Sequence, residues 1–351
     1  MPPPVHEVLS QHLTQEPDTC IRSVLTPSLL DAHLESGTWI CGQRNAGNTC
    51  YANSLLVALA AVPLLRHWTK LHAARHLEAH GYCVLCDCAA DLQNLAFSEV
   101  RRCVLPHIVQ GRSLWCSTFN NTKQQDVCEF WKCLKEACDK AEVEEYKNLT
   151  LDEVPAGSAV LYTTPYWKLC CLQGYDKTTC LHCKSSIVSH WVLDMLQLDI
   201  VPGREVDLAS CFDRFFSTEQ LQKEDRCECC NRTGCRSKRT GIRQWPPVLC
   251  VQLKRWIPGP VAGTYLKENR QVAMPGVLRN LENDPGNCYS LCSAVVHHGD
   301  AGGGHYTTVY QDLATGVWRE GDDERVSICD ASTTERLLSK AFLIFYTRQH
   351  V

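Results

Sequence analysis

Two segments at opposite ends of the chain carry the residue types of nucleophilic catalysis. Near the start, Gly42-Gln-Arg-Asn-Ala-Gly-Asn-Thr-Cys50 runs into Tyr51-Ala-Asn-Ser-Leu-Leu56, so a cysteine stands where a glycine-bearing loop meets a helical run. A thiol in a first helical turn lies beside the positive end of the helix dipole and beside unpaired amides, which favour the thiolate and can hold an oxyanion. Asn48 or Thr49 can cap that helix, and Asn45 offers an amide donor to a developing negative charge. Toward the other end, a strand leads through His297 and His298 into Gly302-Gly-Gly304-His305-Tyr306. A histidine titrates near neutrality, so it can take the thiol proton and return it to a leaving amine. Downstream, Asp322 and Asp323 offer a carboxylate to hold an imidazole in one tautomer. Each segment alone also has a plainer reading. With 24 cysteines in the chain Cys50 is one thiol among many, the glycines suit an ordinary hairpin turn, and the acids suit a solvated loop.

A second chemistry is metal binding. Cys180-Leu-His-Cys183 and Cys227-Glu-Cys-Cys230 are two Cys-x2-Cys pairs, and four thiolates in tetrahedral array make a closed, structural zinc site. Cys229 and Cys235 compete with them as ligands. A third unit, Cys83-Val-Leu-Cys86-Asp-Cys88, lies near His76 and His80, and both core packing and another metal are open for it. Separately, Asp126 and Glu129 in Gln124-Gln-Asp-Val-Cys-Glu-Phe130 stand three apart, which places two carboxylates on one helical face.

The elements that must position these groups follow from hydrophobic period. Leu55, Leu56, Leu59 and Val62 recur at helical spacing, as do Val127, Phe130, Trp131 and Leu134. After about residue 160 alternation takes over, in Leu196–Ile200, Leu249–Leu253, Tyr289–Leu291 and Phe342–Tyr346, interrupted by helical spacing through Leu208, Cys211, Phe212, Phe215 and Phe216. Helices first and strands later predict an α+β fold in one compound domain. Residues 1–38 hold Pro2, Pro3, Pro4, Pro17 and Pro27 with little periodicity and form an extension of unassigned role.

Bulk properties remove several classes. Hydrophobic residues make up 44% and charged residues 21%, which excludes a disordered chain. A net charge of -4 disfavours nucleic acid, and the Arg236–Arg239 basic run is expected in a solvated turn. The start, Met-Pro-Pro-Pro-Val-His-Glu, has neither a basic nor an apolar leader, and the longest apolar stretch is broken by Pro63, so no membrane span is expected. The protein is expected inside the cell, in cytoplasm, nucleus or both, where cysteines stay reduced. The sequons at Asn120, Asn148 and Asn231 then carry no weight.

Taken together, these segments resemble the ubiquitin-specific proteases. Gly42 to Ser54 is similar to that family's cysteine box, with Gln43 where leucine is usual; the Gly304-His305-Tyr306 segment resembles its histidine box; and Lys254-Arg255-Trp256 resembles its Leu-Lys-Arg-Phe strand. The resemblance implies Cys50 as nucleophile, Asn45 as an oxyanion donor, His305 rather than His297 or His298 as base, and Asp322, with Asp323 second, as the residue orienting it. Two departures bear on that acid: Gly321 stands where phenylalanine is common, and one extra residue precedes Val326. The resemblance also implies one structural zinc on Cys180, Cys183, Cys227 and Cys230, and no catalytic cofactor. Asp126 and Glu129 would bind arginines of ubiquitin's tail, while Gly304 would line a narrow channel for its terminal Gly-Gly. The implied architecture is a papain-like fold over residues 39–348, with thumb, palm and zinc-bearing fingers, the fingers at about 165–250. The implied activity is hydrolysis of the bond after ubiquitin's C-terminal glycine through a Cys50 acyl-enzyme, by a monomer whose partners are ubiquitin and ubiquitinated proteins. The alternatives are an inactive ubiquitin-binding scaffold and a protease for a ubiquitin-like modifier with the same tail.

Overall fold

Pro63 divides the first apolar run in two. Helix α1 (Cys50–Ala60) ends before it, and α2 (Pro63–Arg75) starts on it, at the position where a missing N–H costs nothing. The computed structural model describes residues 40–76, 81–97, 104–149, 164–203, 206–281, 284–313 and 315–349. The extension 1–38 and His80 lie outside them. Every residue of α1 is buried, the pattern of a central helix. It packs between α3 (Val84–Phe97), α4 (Val127–Leu149) and a large sheet. Ser293 and Thr308 of that sheet donate their hydroxyls to the Ala58 and Ser54 carbonyls, pinning the helix to the strands.

After α5 (Pro165–Cys170) the chain runs out along β1 (Leu172–Cys180) and back along β2 (Ser186–Leu193), then into the short β3 (Leu196–Leu198). Helix α6 (Leu208–Phe216) follows, then β4 (Arg236–Gln244), β5 (Val248–Leu253), β6 (Asp284–Asp300), β7 (Gly303–Gln311), β8 (Trp318–Asp322) and β9 (Arg325–Ile328). Helix α7 (Ala331–Leu338) and β10 (Ala341–Gln349) finish the described chain. The large sheet has the order β9-β8-β7-β6-β10-β5-β3, with Val277–Leu281 also paired to β6. All its pairs are antiparallel except β3 with β5. A separate four-stranded sheet, Glu219–Gln220 beside β4-β1-β2, lies between Leu172 and Gln244. Helical thumb, sheet palm and projecting fingers are thus all present.

One apolar cluster fills the space between the helices and the near face of the sheet; a second covers the far face under α6 and α7. Strand β10 feeds both, Phe342 and Phe345 to the first, Ile344 and Tyr346 to the second. The alternation expected for Phe342–Tyr346 is therefore absent: the strand is buried on both faces and its sequence is a continuous apolar run. The basic run expected in a turn lies instead at the start of β4, where the Lys238 ammonium meets Glu219 at 2.8 Å. Among the described residues no single helix is long and apolar enough to cross a membrane.

Candidate active site

Cys50 is the first residue of α1, and the loop before it is closed by its own side chains. The Asn45 Oδ1 accepts from the amides of Gly47 (2.9 Å) and Thr49 (3.2 Å), and Thr49 Oγ1 accepts from the Ala46 amide at 3.0 Å. Asn48 adopts a left-handed backbone (φ 56°), which asparagine tolerates, and donates its Nδ2 to the Thr122 carbonyl at 2.9 Å. Both candidate caps are spent on the loop, and Thr49 makes no side-chain cap on α1. The first turn therefore offers its backbone amides and its dipole to whatever forms at the Cys50 sulfur.

His305 comes from β7 and Asp322 from the end of β8. The register that pairs Thr308 with Gly321 aligns these strands, and His305 Nε2 meets Asp322 Oδ1 at 2.5 Å. With Nε2 so engaged, Nδ1 is the nitrogen left for the thiol. The hydrogen bond with Cys50 is the largest cause raising the imidazole pKa to about 9; burial opposes it and Asp322 adds to it. The charged, proton-donating imidazolium is thus favoured beside the sulfur, the state that a thiolate nucleophile and an amine leaving group need.

The adjacent carboxylates part company. Asp323 takes a left-handed backbone (φ 47°) in the two-residue turn between β8 and β9, and its Oδ2 stands 4.0 Å from His305. It accepts instead from the Asn45 Nδ2 and the Asn53 Nδ2, each at 2.7 Å, and its backbone carbonyl accepts from the Gln43 amide at 2.8 Å. One N–H of the Asn45 amide is thus directed at Asp323, which leaves its second N–H, with the amides at the start of α1, as donors to an oxyanion. Gly42 is demanded by this contact: a Cβ there would stand 2.3 Å from the Glu324 carbonyl oxygen. Gly321 has its own reason, since a Cβ would already press on Val57 of α1 at 3.2 Å and an aromatic ring would not fit without repacking.

The other histidines are occupied elsewhere. His297 is buried, its Nδ1 takes the Lys267 ammonium at 3.0 Å, and burial first, then Lys267, push its pKa down to about 4. His298 Nε2 pairs with Thr307 Oγ1 at 2.9 Å. A cleft of about 560 Å³ runs past Cys50 between the start of α4 and the Gly302–Gly304 turn, with Glu129 on its wall. At Gly304 a Cβ would fall 2.1 Å from the His298 carbonyl oxygen, so the wall admits no side chain there. Gln124 closes the opposite side, accepting from the Gly304 amide at 3.0 Å and donating to its carbonyl at 2.9 Å.

Asp126 and Glu129 both line the cleft, but only Glu129 lies within the helix. Asp126 precedes α4 and turns back to accept from the Cys128 and Glu129 amides, at 2.8 and 3.0 Å, while its other oxygen accepts from Trp256 Nε1 at 2.8 Å. It thus caps the helix and anchors Trp256 while lining the cleft. Glu129 is exposed.

In the fingers, the sulfurs of Cys180, Cys183, Cys227 and Cys230 all lie within 4.8 Å of one another. The Cys180–Cys230 and Cys183–Cys227 separations are both 3.7 Å. A tetrahedron with metal–sulfur bonds of about 2.3 Å has edges of about 3.8 Å, so the residues fit a four-thiolate metal. Cys235 also approaches Cys180, at 3.4 Å, whereas Cys229 is exposed. The functional residues missed from sequence are Asn53 and Gln124, both within quoted segments. The signal available for Asn53 was its position one helical turn after the nucleophile.

A profile described as ubiquitin carboxyl-terminal hydrolase matches residues 41–346. The chain is 29% identical over 328 residues to ubiquitin carboxyl-terminal hydrolase 36 of Drosophila pseudoobscura pseudoobscura, covering 87% of this chain and 29% of that protein. Its counterpart in Drosophila mojavensis is 31% identical over 239 residues, covering 61% and 18%. The chain thus spans less than a third of the length of these curated relatives. Among solved structures, the SAGA Ubp8/Sgf11/Sus1/Sgf73 DUB module bound to ubiquitin aldehyde matches with a TM-score of 0.72 at 23% identity, over 91% of this chain and 71% of that one. The Ubp8-Sgf11-Sgf73-Sus1 module matches with a TM-score of 0.68 at 25% identity, over 98% and 74%.

Proposed function

The chain belongs to the ubiquitin carboxyl-terminal hydrolase family, and from that premise we propose that it is a cysteine deubiquitinase acting on the bond that follows the C-terminal glycine of ubiquitin. The observation that carries this reading is the alignment of Cys50 at a helix start, His305 and Asp322 beside a cleft whose wall tolerates only glycine at 304. In the reaction, the Cys50 sulfur attacks the glycine carbonyl and the charge on the oxygen falls to the amides of the first α1 turn. His305 passes its proton to the leaving lysine amine, leaving a thioester; water, deprotonated by the now neutral imidazole, then releases ubiquitin. Asp322 keeps the ring oriented and favours its charged form. Glu129 stands where it can pair with an arginine of the tail, and the side-chain-free Gly302–Gly304 wall of the cleft lets a Gly-Gly terminus lie close to backbone. The four fingers cysteines are read as ligands of one zinc, which supplies rigidity to that region and no chemistry at the cleft.

The test is reaction of the purified chain with ubiquitin bearing a C-terminal thiol-reactive group, read by mass beside Cys50→Ala. An adduct in the parent and none in the variant is the expected result. A folded chain that gives no adduct with ubiquitin and gives one with a ubiquitin-like modifier would transfer the reading to that modifier.

A further inference from the structure

We propose that His297 is a substrate-binding residue: its Nε2–H, held beside Gly304 on the wall of the cleft, donates a hydrogen bond to a backbone carbonyl of the extended C-terminal tail that the cleft receives. The contact presupposes the ubiquitin-cleaving role proposed above and names one more group that grips the substrate.

Lys267 tells the two ring nitrogens apart. It closes the short hairpin of Trp256–Pro258 and Tyr265–Lys267, and its ammonium stands 3.0 Å from His297 Nδ1, 2.7 Å from the His297 carbonyl oxygen and 2.9 Å from the Gly299 carbonyl oxygen. An ammonium has three N–H groups and no acceptor, so each of these contacts is a donation and Nδ1 must accept. Burial first, then the charge of Lys267, push the imidazole pKa down to about 4, so the ring is neutral near pH 7. A neutral ring whose Nδ1 accepts carries its proton on Nε2.

That proton has no partner among the described residues. His297 is only 6% exposed and lines the cleft, and its Nε2 lies so near Gly304 that a Cβ there would stand 2.4 Å from it. A buried N–H without an acceptor is unfavourable, and an incoming carbonyl relieves it. Glycine at 304 leaves the donor uncovered.

The neighbouring donors are already spent. The Trp256 ring meets His297 edge to face at 5.2 Å, and the Tyr306 ring lies 4.6 Å away on centroids. Trp256 Nε1 and the Tyr306 hydroxyl both donate to the same Asp126 oxygen, at 2.8 and 3.5 Å. The Gly304 amide donates to Gln124 at 3.0 Å and the Gly302 amide to Asp300 at 2.9 Å. Of the three rings on this wall, His297 alone keeps an N–H for a ligand. An extended chain that lies against Gly304 with no side chain between brings a carbonyl within its reach. The sequence showed His297 only as a rival of His305 for the role of base; Lys267, 30 positions away, is what makes it a donor.

The test compares hydrolysis of ubiquitin carrying a C-terminal aminocoumarin amide by the parent, His297→Phe and His297→Gln. Phenylalanine keeps the packing of the ring and removes the donor, whereas glutamine returns an N–H near the position of Nε2. His297→Phe should raise KM about tenfold with kcat within about twofold, and His297→Gln should recover most of that loss. A second measurement needs no change at His297. In Cys50→Ala, the nitrogen-15 signals of the imidazole, assigned by their loss in His297→Gln, should show the proton on Nε2, and that proton should move downfield when unmodified ubiquitin is bound. A parent that neither cleaves nor binds ubiquitin overturns the functional reading and this contact with it. A parent that cleaves, with KM unchanged in His297→Phe, with His297→Gln no better than His297→Phe, or with an Nε2 proton that does not move on binding, overturns this contact alone.

Discussion

The thumb and palm are held by burial, and the fingers are not. Around the cleft two large apolar clusters enclose the helices and both faces of the sheet, and thiols there are filler: burial drives the pKa of Cys128, Cys170 and Cys292 up and keeps them protonated. In the fingers, β2 leaves Ile187 and Val188 about half exposed, and the cysteines face one another rather than apolar side chains. A neighbouring Ser185 pulls the Cys183 pKa down to about 6, whereas the facing thiols push Cys230 up, so the thiols of the cluster act on one another rather than on apolar surroundings. The same residue type thus takes opposite roles according to what surrounds it. The proposed chemistry lies in the half held by apolar burial, and the thiols that fit a metal lie in the other.

If the two halves divide the work in this way, damage to each should show in a different kinetic constant. Asp322→Asn should lower kcat about 100-fold or more and leave KM within about twofold, because it disturbs only the imidazole. It should also move the alkaline limb of kcat/KM. The parent holds His305 protonated up to about 9, so activity falls as pH rises through that value; removing the carboxylate that helps raise it must shift the fall to lower pH. A limb that stays put would show that Asp322 does not set the charge of His305.

Removing the fingers metal with Cys180→Ser and Cys227→Ser should act the other way, raising KM for ubiquitin substrates about tenfold or more while Cys50 keeps its reactivity toward a small alkylating reagent. Equal loss of both would mean that the halves fold as one cooperative unit. Cys250→Ala, in the core between the helices and the sheet, should cost about 1–2 kcal/mol in chemical denaturation with kinetic constants nearly unchanged. The smallest effect is expected at Gln43, which is buried and whose Oε1 has no hydrogen-bond partner among the described residues. Gln43→Leu should raise stability by about 1 kcal/mol, read as an upward shift of the denaturation midpoint.

The sequence determined what depends on near neighbours. Helix and strand periods placed α1, α4, α6 and the main strands, because side-chain direction follows from backbone repeat alone. Cys50 at the end of its loop, the glycine turn before His305 and the Cys-x2-Cys pairs were legible because their chemistry lies in local spacing. What the tertiary structure decided are choices between adjacent or equivalent groups. Asp322 faces His305 while Asp323 turns to Asn45 and Asn53, since the left-handed turn residue leaves the strand that carries its neighbour. Asp126 became a helix cap and a Trp256 anchor, through a partner 130 positions away. His72 joined Cys83 only because α2 and α3 pack against each other. In each case the composition of the segment was equally compatible with the other choice, and a contact between distant parts of the chain settled it.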